Sequence, residues 1–274
     1  IHVDGSVIDD GHIYNPTTPM DIDTEKSKVE QTLELHDVKL DQFVEPEIVE
    51  SVPEQYSKII DEMFEICSKK MKVGQKESEL QTILMTYAME QEMFDTGYKS
   101  TLNPLIIAGG PNGALPHAQV SQRKFKKGDL VVTDLTLRYN GYVSDATRTF
   151  ALGKISSQAN EAYDVVKESQ KLGLKSVKPN ADCKNIDFAC RKYIEEKNYG
   201  QYFIHSTGHG IGLEVHEFPT VSYRSNTKLK ENMAITVEPG IYIENKFGIR
   251  IEDSLIVKDK PIIMHKFTKD LLTI

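Results

Sequence analysis

The dipeptide Asn140-Gly141 places the tightest constraint on the fold of this chain. It lies between two runs that are rich in β-forming residues, 128–139 and 142–150. Asn-Gly in that setting is the strongest short-range signal of a β-hairpin, because both central residues of a type I′ turn adopt positive φ. The sequence therefore predicts two antiparallel strands that turn at this dipeptide.

The predicted register brings two acids together on one face of the hairpin. With the turn at Asn140-Gly141, Asp145 faces Thr136, and Asp134 lies two residues from Thr136 on the same face. Diagonal neighbours in an antiparallel pair are about 7–8 Å apart at the backbone. Two carboxylates at that separation can share a metal ion if their side chains reach toward each other.

A second hairpin that carries two acids is predicted near the end of the chain. Residues 234–243 and 248–257 have the pattern of two strands around a turn centred on Asn245. This register sets Glu238 directly opposite Glu252, again among apolar residues.

Each hairpin follows a pair of predicted helices. Apolar residues recur at helical spacing in segments that begin at Glu54, Ser78 and Ser157, and in a fourth that Asp182 caps. Between the first pair and its hairpin, residues 105–117 are predicted as a loop-rich wall of a binding cleft. The order helix, helix, loop, hairpin therefore occurs twice.

The stretch from residue 205 to residue 217 has the composition of a site. It holds three of the chain's eight histidines, His205, His209 and His216, interleaved with glycines. Imidazole is a common metal ligand and acid–base group, and glycine lets the backbone come close to a ligand. A hydrophobic core segment needs neither residue.

The four hairpin acids are poorly solvated among apolar neighbours and repel one another. One interpretation is that each acid pairs with Arg148, Arg250 or a helix N-terminus. The other is a metal cage, and its ligands would be Asp134, Asp145, His209, Glu238 and Glu252. So many carboxylates suit two divalent ions about 3.5–4 Å apart and favour Mn²⁺, Co²⁺, Fe²⁺ or Zn²⁺. The chemistry indicated is hydrolysis of an amide or a phosphate ester.

Composition argues against several other classes of protein. The chain has 274 residues, a net charge of −8 and no basic stripe, so no nucleic-acid surface is expected. No apolar run approaches the ~20 residues of a membrane span, and no signal peptide is evident. Three cysteines without disulfide or zinc spacing indicate a cytoplasmic protein.

The chain starts with Ile, so we expect a fragment or processed product, with an N-terminal remnant and linker at 1–53 and a catalytic domain at 54–274.

Four motifs in order give the sequence a resemblance to a known family. They are the first hairpin with its two acids, the histidine stretch, the run Val237-Glu238-Pro239-Gly240-Ile241-Tyr242 and the run Gly248-Ile249-Arg250-Ile251-Glu252-Asp253. From Glu54 to Val257 the chain resembles the M24 pita-bread metallopeptidases, and among them the Xaa-Pro peptidases prolidase and aminopeptidase P. The resemblance implies an α/β (α+β) fold of two pseudo-symmetric halves, each with helices on a curved antiparallel sheet.

The resemblance also implies a role for each site residue. Asp134 would bind one metal ion, His209 and Glu238 the other, and Asp145 and Glu252 would bridge both. Glu238 would also be the general base toward the bridging water. The residues implied to bind substrate or to orient the acids are His117, His205, His216 and Arg250. The implied activity is exopeptidase hydrolysis of Xaa-Pro bonds in proline-containing peptides by a metal-bridging hydroxide, with two Mn, Co or Zn ions, in a homodimer.

Three alternatives stay open at this level. Methionine aminopeptidase shares the five ligands, but its last glutamate lies in Gln-Phe-Glu-His, where this chain has Arg250-Ile251-Glu252-Asp253. Pita-bread proteins that only bind partners have lost ligands that this chain keeps. Dipeptidase and aminopeptidase activity are not separated, because relatives carry a full N-terminal domain where this chain has residues 1–53.

Overall fold

The computed structural model describes residues 7–9, 12–14, 46–93 and 105–274. By their contacts, the residues of the chain form two compact units, Ile1–Val49 and Glu50–Ile274. In the first unit, strands β1 (Val7–Asp9) and β2 (His12–Tyr14) pair as a short antiparallel hairpin. Most of the expected N-terminal remnant lies outside the described residues, and the boundary between residues 53 and 54 stays a prediction.

The described residues contain four α-helices, which match the four helical patterns. They are α1 (Pro46–Lys70), α2 (Glu77–Glu90), α3 (Ser157–Ser176) and α4 (Cys183–Glu196). Helix α1 begins before Glu54, earlier than predicted. Asp182 occupies the N-cap position of α4, but its carboxylate accepts no hydrogen bond from the helix backbone. None of these helices combines the length and the apolar character that a membrane span requires.

The first hairpin forms in the predicted register. Strands β4 (Leu130–Tyr139) and β5 (Tyr142–Ala151) pair antiparallel, and both residues of the Asn140-Gly141 turn have positive φ. Thr136 faces Asp145, and the Thr136 hydroxyl donates to Asp145 Oδ1 at 2.8 Å. The two acids of this hairpin are therefore diagonal neighbours, as the register predicts.

The prediction of a loop over residues 105–117 is wrong for its first part. Strand β3 (Leu105–Gly109) pairs with β4, so the sheet has the order β3-β4-β5. A short apolar run of this kind suits a buried strand, whereas the glycines that follow form a 3₁₀ turn (Gly110–Ala114). The irregular wall of the cleft is thus shorter than predicted.

The second hairpin keeps the predicted register, but its strands are interrupted. The strands of this half are β6 (Gly208–Gly210), β7 (Glu217–Val221), β8 (Ala234–Val237), β9 (Gly240–Ile243), β10 (Phe247–Arg250), β11 (Asp253–Ile256) and β12 (Ile262–Ile263). Five form a sheet in the order β12-β11-β8-β6-β7, while β9 and β10 pair separately. Val237 pairs with Asp253 and Gly240 with Arg250, so the gap between these pairs holds the two glutamates opposite each other.

Backbone hydrogen bonding explains the interruption. Pro239 has no N–H to donate to a strand ladder. The N–H of Glu238 instead donates to Thr207 O at 2.7 Å, and that of Glu252 to Thr147 O at 3.1 Å. Each glutamate is therefore anchored by a different part of the chain at the point where its own strand ends.

Each half of the second unit has its own hydrophobic core. In the first half, Phe64 and Leu80 of α1 and α2 pack with Leu135 of the β3-β4-β5 sheet. In the second half, Val166 of α3 and Ile186 of α4 pack with the strands that follow them. Burial of these apolar faces holds the helices against their sheets.

The last residues of the chain bind elements of both halves. Asp61 on α1 accepts the backbone N–H groups of residues 266–267 at 2.7 and 3.1 Å. Lys269 binds the buried carboxylate of Asp253 on β11, and Arg148 on β5 binds the same carboxylate at 2.7 Å. Arg148 also donates to the carbonyl oxygen of Phe267. Residues 266–269 thereby pack against the buried ion pair of Arg148 and Asp253.

We expect Arg148→Met to destabilise the fold strongly. The side chains of Arg148 and Asp253 are 2% and 0% exposed, and removal of one partner from a buried pair costs about 3–5 kcal/mol. Urea unfolding followed by circular dichroism measures this loss. The control is Lys171→Met, which removes an exposed pair with Glu168 and should change the free energy of unfolding by less than about 0.5 kcal/mol. Equal effects of the two substitutions would contradict the expectation.

We expect the buried His265 to make the fold less stable below neutral pH. Burial lowers the pKa of His265 to about 4, whereas an unfolded histidine has a pKa of about 6.5. Between these values the unfolded chain binds more protons, so the free energy of unfolding falls as the pH falls. Between pH 7 and pH 5 the unsubstituted chain should lose about 2 kcal/mol more than His265→Gln. Urea unfolding at both pH values tests this, and parallel losses would refute it.

Candidate functional site

A cleft with a volume of about 400 Å³ collects six of the predicted site residues. Its lining consists of Pro116, His117, His205, Ser206, His209, His216, Glu217, Phe218, Thr220, Glu238 and Arg250. The other predicted ligands, Asp134, Asp145 and Glu252, are buried beside residues that line it. The fold therefore gathers all the predicted site residues in one region.

Three side chains come close enough to bind one ion. Ligand atoms of Asp145, His209 and Glu252 all lie within 4.8 Å of one another. His209 Nε2 is 3.3 Å from Glu238 Oε1 and 3.8 Å from Asp145 Oδ2. Asp145 comes from strand β5 and His209 from strand β6, whereas Glu238 and Glu252 lie opposite each other at the gap of the second hairpin.

Hydrogen bonding determines which nitrogen of His209 faces the acids as a possible ligand. Nδ1 lies 2.9 Å from Gly210 O, which can only accept, so Nδ1 carries a proton. Burial by itself lowers the pKa of His209, but the hydrogen bond and the charge of Glu238 raise it to about 9. Burial likewise raises the pKa of Glu238, and the bond from His209 reverses this and lowers it to about 2. In its neutral form His209 presents the lone pair of Nε2 to a cation.

Arg250 orients Asp134. Its Nη2 donates to Asp134 Oδ2 at 2.6 Å, and both side chains are buried. Oδ1 of Asp134 is buried and has no hydrogen-bond partner among the described residues, which leaves it available to a cation. The alternative that an arginine pairs with each acid holds for Asp134, whereas Arg148 pairs with Asp253 instead.

The contacts described so far do not offset the repulsion of Asp145 and Glu252 by their neighbouring carboxylates. Burial and the charge of Asp134 raise the pKa of Asp145 well above its ordinary value. Burial and the charge of Asp145 have the same effect on Glu252. A cation between such carboxylates favours their ionised form. The donor set of carboxylate oxygens with one imidazole nitrogen therefore fits divalent metal ions.

Thr147 is a member of the site to which the sequence patterns assigned no role. Its hydroxyl donates to Glu252 Oε2 at 2.7 Å and accepts from Arg250 Nε at 3.0 Å. The hairpin register could have indicated it, because Thr147 faces Asp134 and lies two residues from Asp145. Thr147 thus couples the orientation of Arg250 to that of Glu252.

Tyr242 is the second such residue, and it connects Arg250 to His205. Arg250 Nη1 donates to the Tyr242 hydroxyl oxygen at 2.7 Å. His205 Nδ1 donates to Ser206 O, so in the neutral ring Nε2 accepts from the Tyr242 hydroxyl at 3.0 Å. Burial lowers the pKa of His205, which favours this neutral ring. A continuous chain of hydrogen bonds therefore runs from Asp134 to a histidine of the cleft wall.

His216 and His117 stand on the exposed side of the cleft. The ring of His216 is 4.3 Å from that of His209, at an angle of 79°. Desolvation and the positive charge of His209 lower the pKa of His216 to about 4. His216 is therefore neutral near pH 7, with one nitrogen able to donate and the other to accept. This state suits contact with an uncharged peptide group.

Two glycines of the histidine stretch allow close approach of the backbone. A Cβ atom at Gly208 would collide with Thr236 O, and one at Gly210 would collide with Phe218 O. Neither glycine has positive φ, so their small size and not their conformational freedom is what β6 requires. His209 stands between them and is thereby held against both neighbouring strands.

The chain is similar in sequence to a curated relative, and similar in both sequence and fold to two solved structures. The chain is 38% identical to the Xaa-Pro dipeptidase of Pyrococcus furiosus over 240 residues, which are 86% of this chain and 66% of that protein. It is 38% identical to an Xaa-Pro dipeptidase from Bacillus anthracis with a TM-score of 0.77, over 84% of this chain and 63% of the other. It is 34% identical to an X-Pro aminopeptidase from Thermotoga maritima with a TM-score of 0.76, over 84% and 64%.

These comparisons confirm the predicted pita-bread fold and its two helix-on-sheet halves. The chain spans about two thirds or slightly less of each of these proteins. The model of metallopeptidase family M24 matches residues 54–259, which include the four acids, the histidine stretch and Arg250. The chain therefore belongs to metallopeptidase family M24.

Proposed function

We propose that this protein is a metallopeptidase that hydrolyses Xaa-Pro peptide bonds. The observation that carries the proposal is the approach of Asp145, His209 and Glu252 to within 4.8 Å of one another beside a cleft. The relatives named Xaa-Pro dipeptidase and X-Pro aminopeptidase support the choice of bond. Dipeptidase and aminopeptidase activity are both compatible with this cleft.

The donor set supports two divalent ions, with Mn²⁺, Co²⁺ or Zn²⁺ as candidates. Asp134 would hold one ion through Oδ1, which has no hydrogen-bond partner among the described residues, and His209 Nε2 with Glu238 would hold the other. Asp145 and Glu252 would lie between the two ions. Bound there, the ions would lower the pKa of a shared water and polarise the scissile carbonyl group.

The protein's own side chains would handle the proton and the peptide. Glu238 would be ionised beside a bound cation, because a nearby positive charge favours the charged form of a carboxylate. Its carboxylate can take a proton from the attacking water and pass it to the proline nitrogen as the C–N bond breaks. His117, His205 and His216 line the cleft and would hydrogen-bond to the scissile carbonyl and to the ends of the peptide.

Several finer properties belong to the same proposal. We propose a cytoplasmic homodimer whose catalytic domain covers residues 54–274, with the N-terminal remnant and linker at 1–53.

Methionine aminopeptidase activity is the second candidate function, since it needs the same five ligands. The run Arg250-Ile251-Glu252-Asp253 and the names of the relatives favour the proline-directed reaction.

We expect His209→Ala and Asp145→Ala to abolish peptide hydrolysis. Each substitution removes a member of the three-residue cluster and should weaken Mn²⁺ binding, with a loss of activity of more than about a thousandfold. Calorimetric titration with Mn²⁺ and product analysis on Ala-Pro measure both effects. The control is Asp164→Ala, at an exposed position on α3, which should retain activity and metal. Near-normal turnover of Asp145→Ala at full metal content would refute its proposed role.

We expect the Mn²⁺- or Co²⁺-loaded protein to cleave the Xaa-Pro bond of Ala-Pro or Ala-Pro-Ala. Comparison of kcat/KM with Met-Ala-Ser separates this activity from methionine removal. Preference for Ala-Pro identifies a dipeptidase, and preference for Ala-Pro-Ala identifies an aminopeptidase. Faster release of Met from Met-Ala-Ser would overturn the proposed specificity in favour of the second candidate.

A further inference from the structure

Helix α4 carries two ion pairs with i, i+4 spacing in very different surroundings. Lys192 and Glu196 are 3.8 Å apart, and both side chains are more than half exposed. Asp187 is fully buried, and Arg191 Nε and Nη2 each donate to its carboxylate at 2.9 Å. A bidentate pair of this kind fixes geometry far better than a single exposed contact does.

The Asp187–Arg191 pair binds three alternate residues of the segment that leads to the cluster of Asp145, His209 and Glu252. Arg191 Nη1 donates to Phe203 O and Nη2 to His205 O, each at 2.9 Å. The Thr207 hydroxyl donates to Asp187 Oδ1, also at 2.9 Å. The guanidinium group lies over the Phe203 ring, 4.1 Å from its centroid. Segment 203–207 is therefore bound along its whole length to one helix.

This segment bears directly on two residues that line the cleft. The rings of Phe203 and His205 meet edge to face at 5.2 Å. Thr207 O accepts the backbone N–H of Glu238 at 2.7 Å. A displacement of segment 203–207 would therefore move His205 and Glu238 together.

We infer that Asp187 and Arg191 are positioning residues that hold His205 and Glu238 in place in the cleft. Neither residue lines the cleft, so each acts through segment 203–207. Desolvation of the buried Asp187 carboxylate offsets much of its attraction to the part-buried Arg191, so stability alone explains this pair poorly. The five hydrogen bonds of this pair instead specify one conformation of the segment. The catalytic consequence rests on the proposed function, whereas the structural consequence does not.

The structural consequence can be tested on the 274-residue chain without added metal. In Arg191→Met and Arg191→Lys, we expect the imidazole NMR signals of His205 to shift. Lysine keeps the charge, but its single ammonium group cannot reproduce the planar fork that reaches all four acceptors. Lys192→Met on the same helix is the matched control and should leave these signals unchanged.

The NMR outcomes decide the structural part. Unmoved His205 signals in the Arg191 variants would overturn the inference, as would equal shifts in Lys192→Met. If Arg191→Met does not fold, Arg191→Lys and Thr207→Val carry the same test. Thr207→Val removes the hydroxyl bond to Asp187, and a shift of the Glu238 backbone amide signal is the expected result.

The catalytic consequence can be tested with Mn²⁺ and Ala-Pro, well below the unfolding temperature of every variant. Arg191→Met should lower kcat/KM about tenfold to a hundredfold, because small misplacements are that costly, while Lys192→Met should stay within about twofold. In a His205→Ala background the effect of Arg191→Met should be much smaller, because the residues act as a unit. Fully additive losses would overturn positioning through His205. A chain that binds Mn²⁺ but leaves Ala-Pro and Ala-Pro-Ala intact would refute the proposed function, and the His205 signals would still decide the positioning role.

Discussion

The mutual repulsion of four closely placed carboxylates is the constraint on which the rest of this structure depends. Taking a carboxylate out of water is unfavourable, and like charges nearby make it more so. The fold supplies each acid with a polar partner: Arg250 for Asp134, Thr136 for Asp145, His209 for Glu238 and Thr147 for Glu252. Two of these partners are neutral hydroxyls, which leaves charge that divalent cations would balance.

Hydrogen bonds around the site also join the two halves of the second unit. Ser254 Oγ donates to Asp145 O at 2.7 Å, and the Thr149 hydroxyl both donates to Arg250 O and accepts from Arg250 N. Asp134 and Asp145 come from the first half, and Glu238 and Glu252 from the second. The site is therefore a product of docking, and neither half contains it alone. This is why buried hydroxyl groups recur where the hairpins meet.

The sequence predictions that the structure confirms are those that rest on rules acting over a few residues. The Asn140-Gly141 turn set the register of its hairpin, and alternation then placed Asp145 across from Thr136. The second hairpin likewise kept the register predicted from its turn at Asn245. Its strands are interrupted where the N–H groups of Glu238 and Glu252 donate to Thr207 and Thr147. Those acceptors lie elsewhere in the chain, so no local pattern reveals them.

The sequence by itself determined the hairpin turns, the strand faces that carry acids, the number and order of the four described helices and the chemical type of the donors. These follow from backbone conformation and from side-chain periodicity, which are local. Tertiary structure alone decided which partner each acid has: Thr147 and Glu252 are 105 residues apart, and Arg250 and Asp134 are 116 apart. It also decided that His209 presents Nε2 to the acids and that one oxygen of Asp134 has no hydrogen-bond partner among the residues that the structure describes. Both depend on how packed surfaces meet, because a hydrogen bond is set by distance and angle in space and not by separation along the chain.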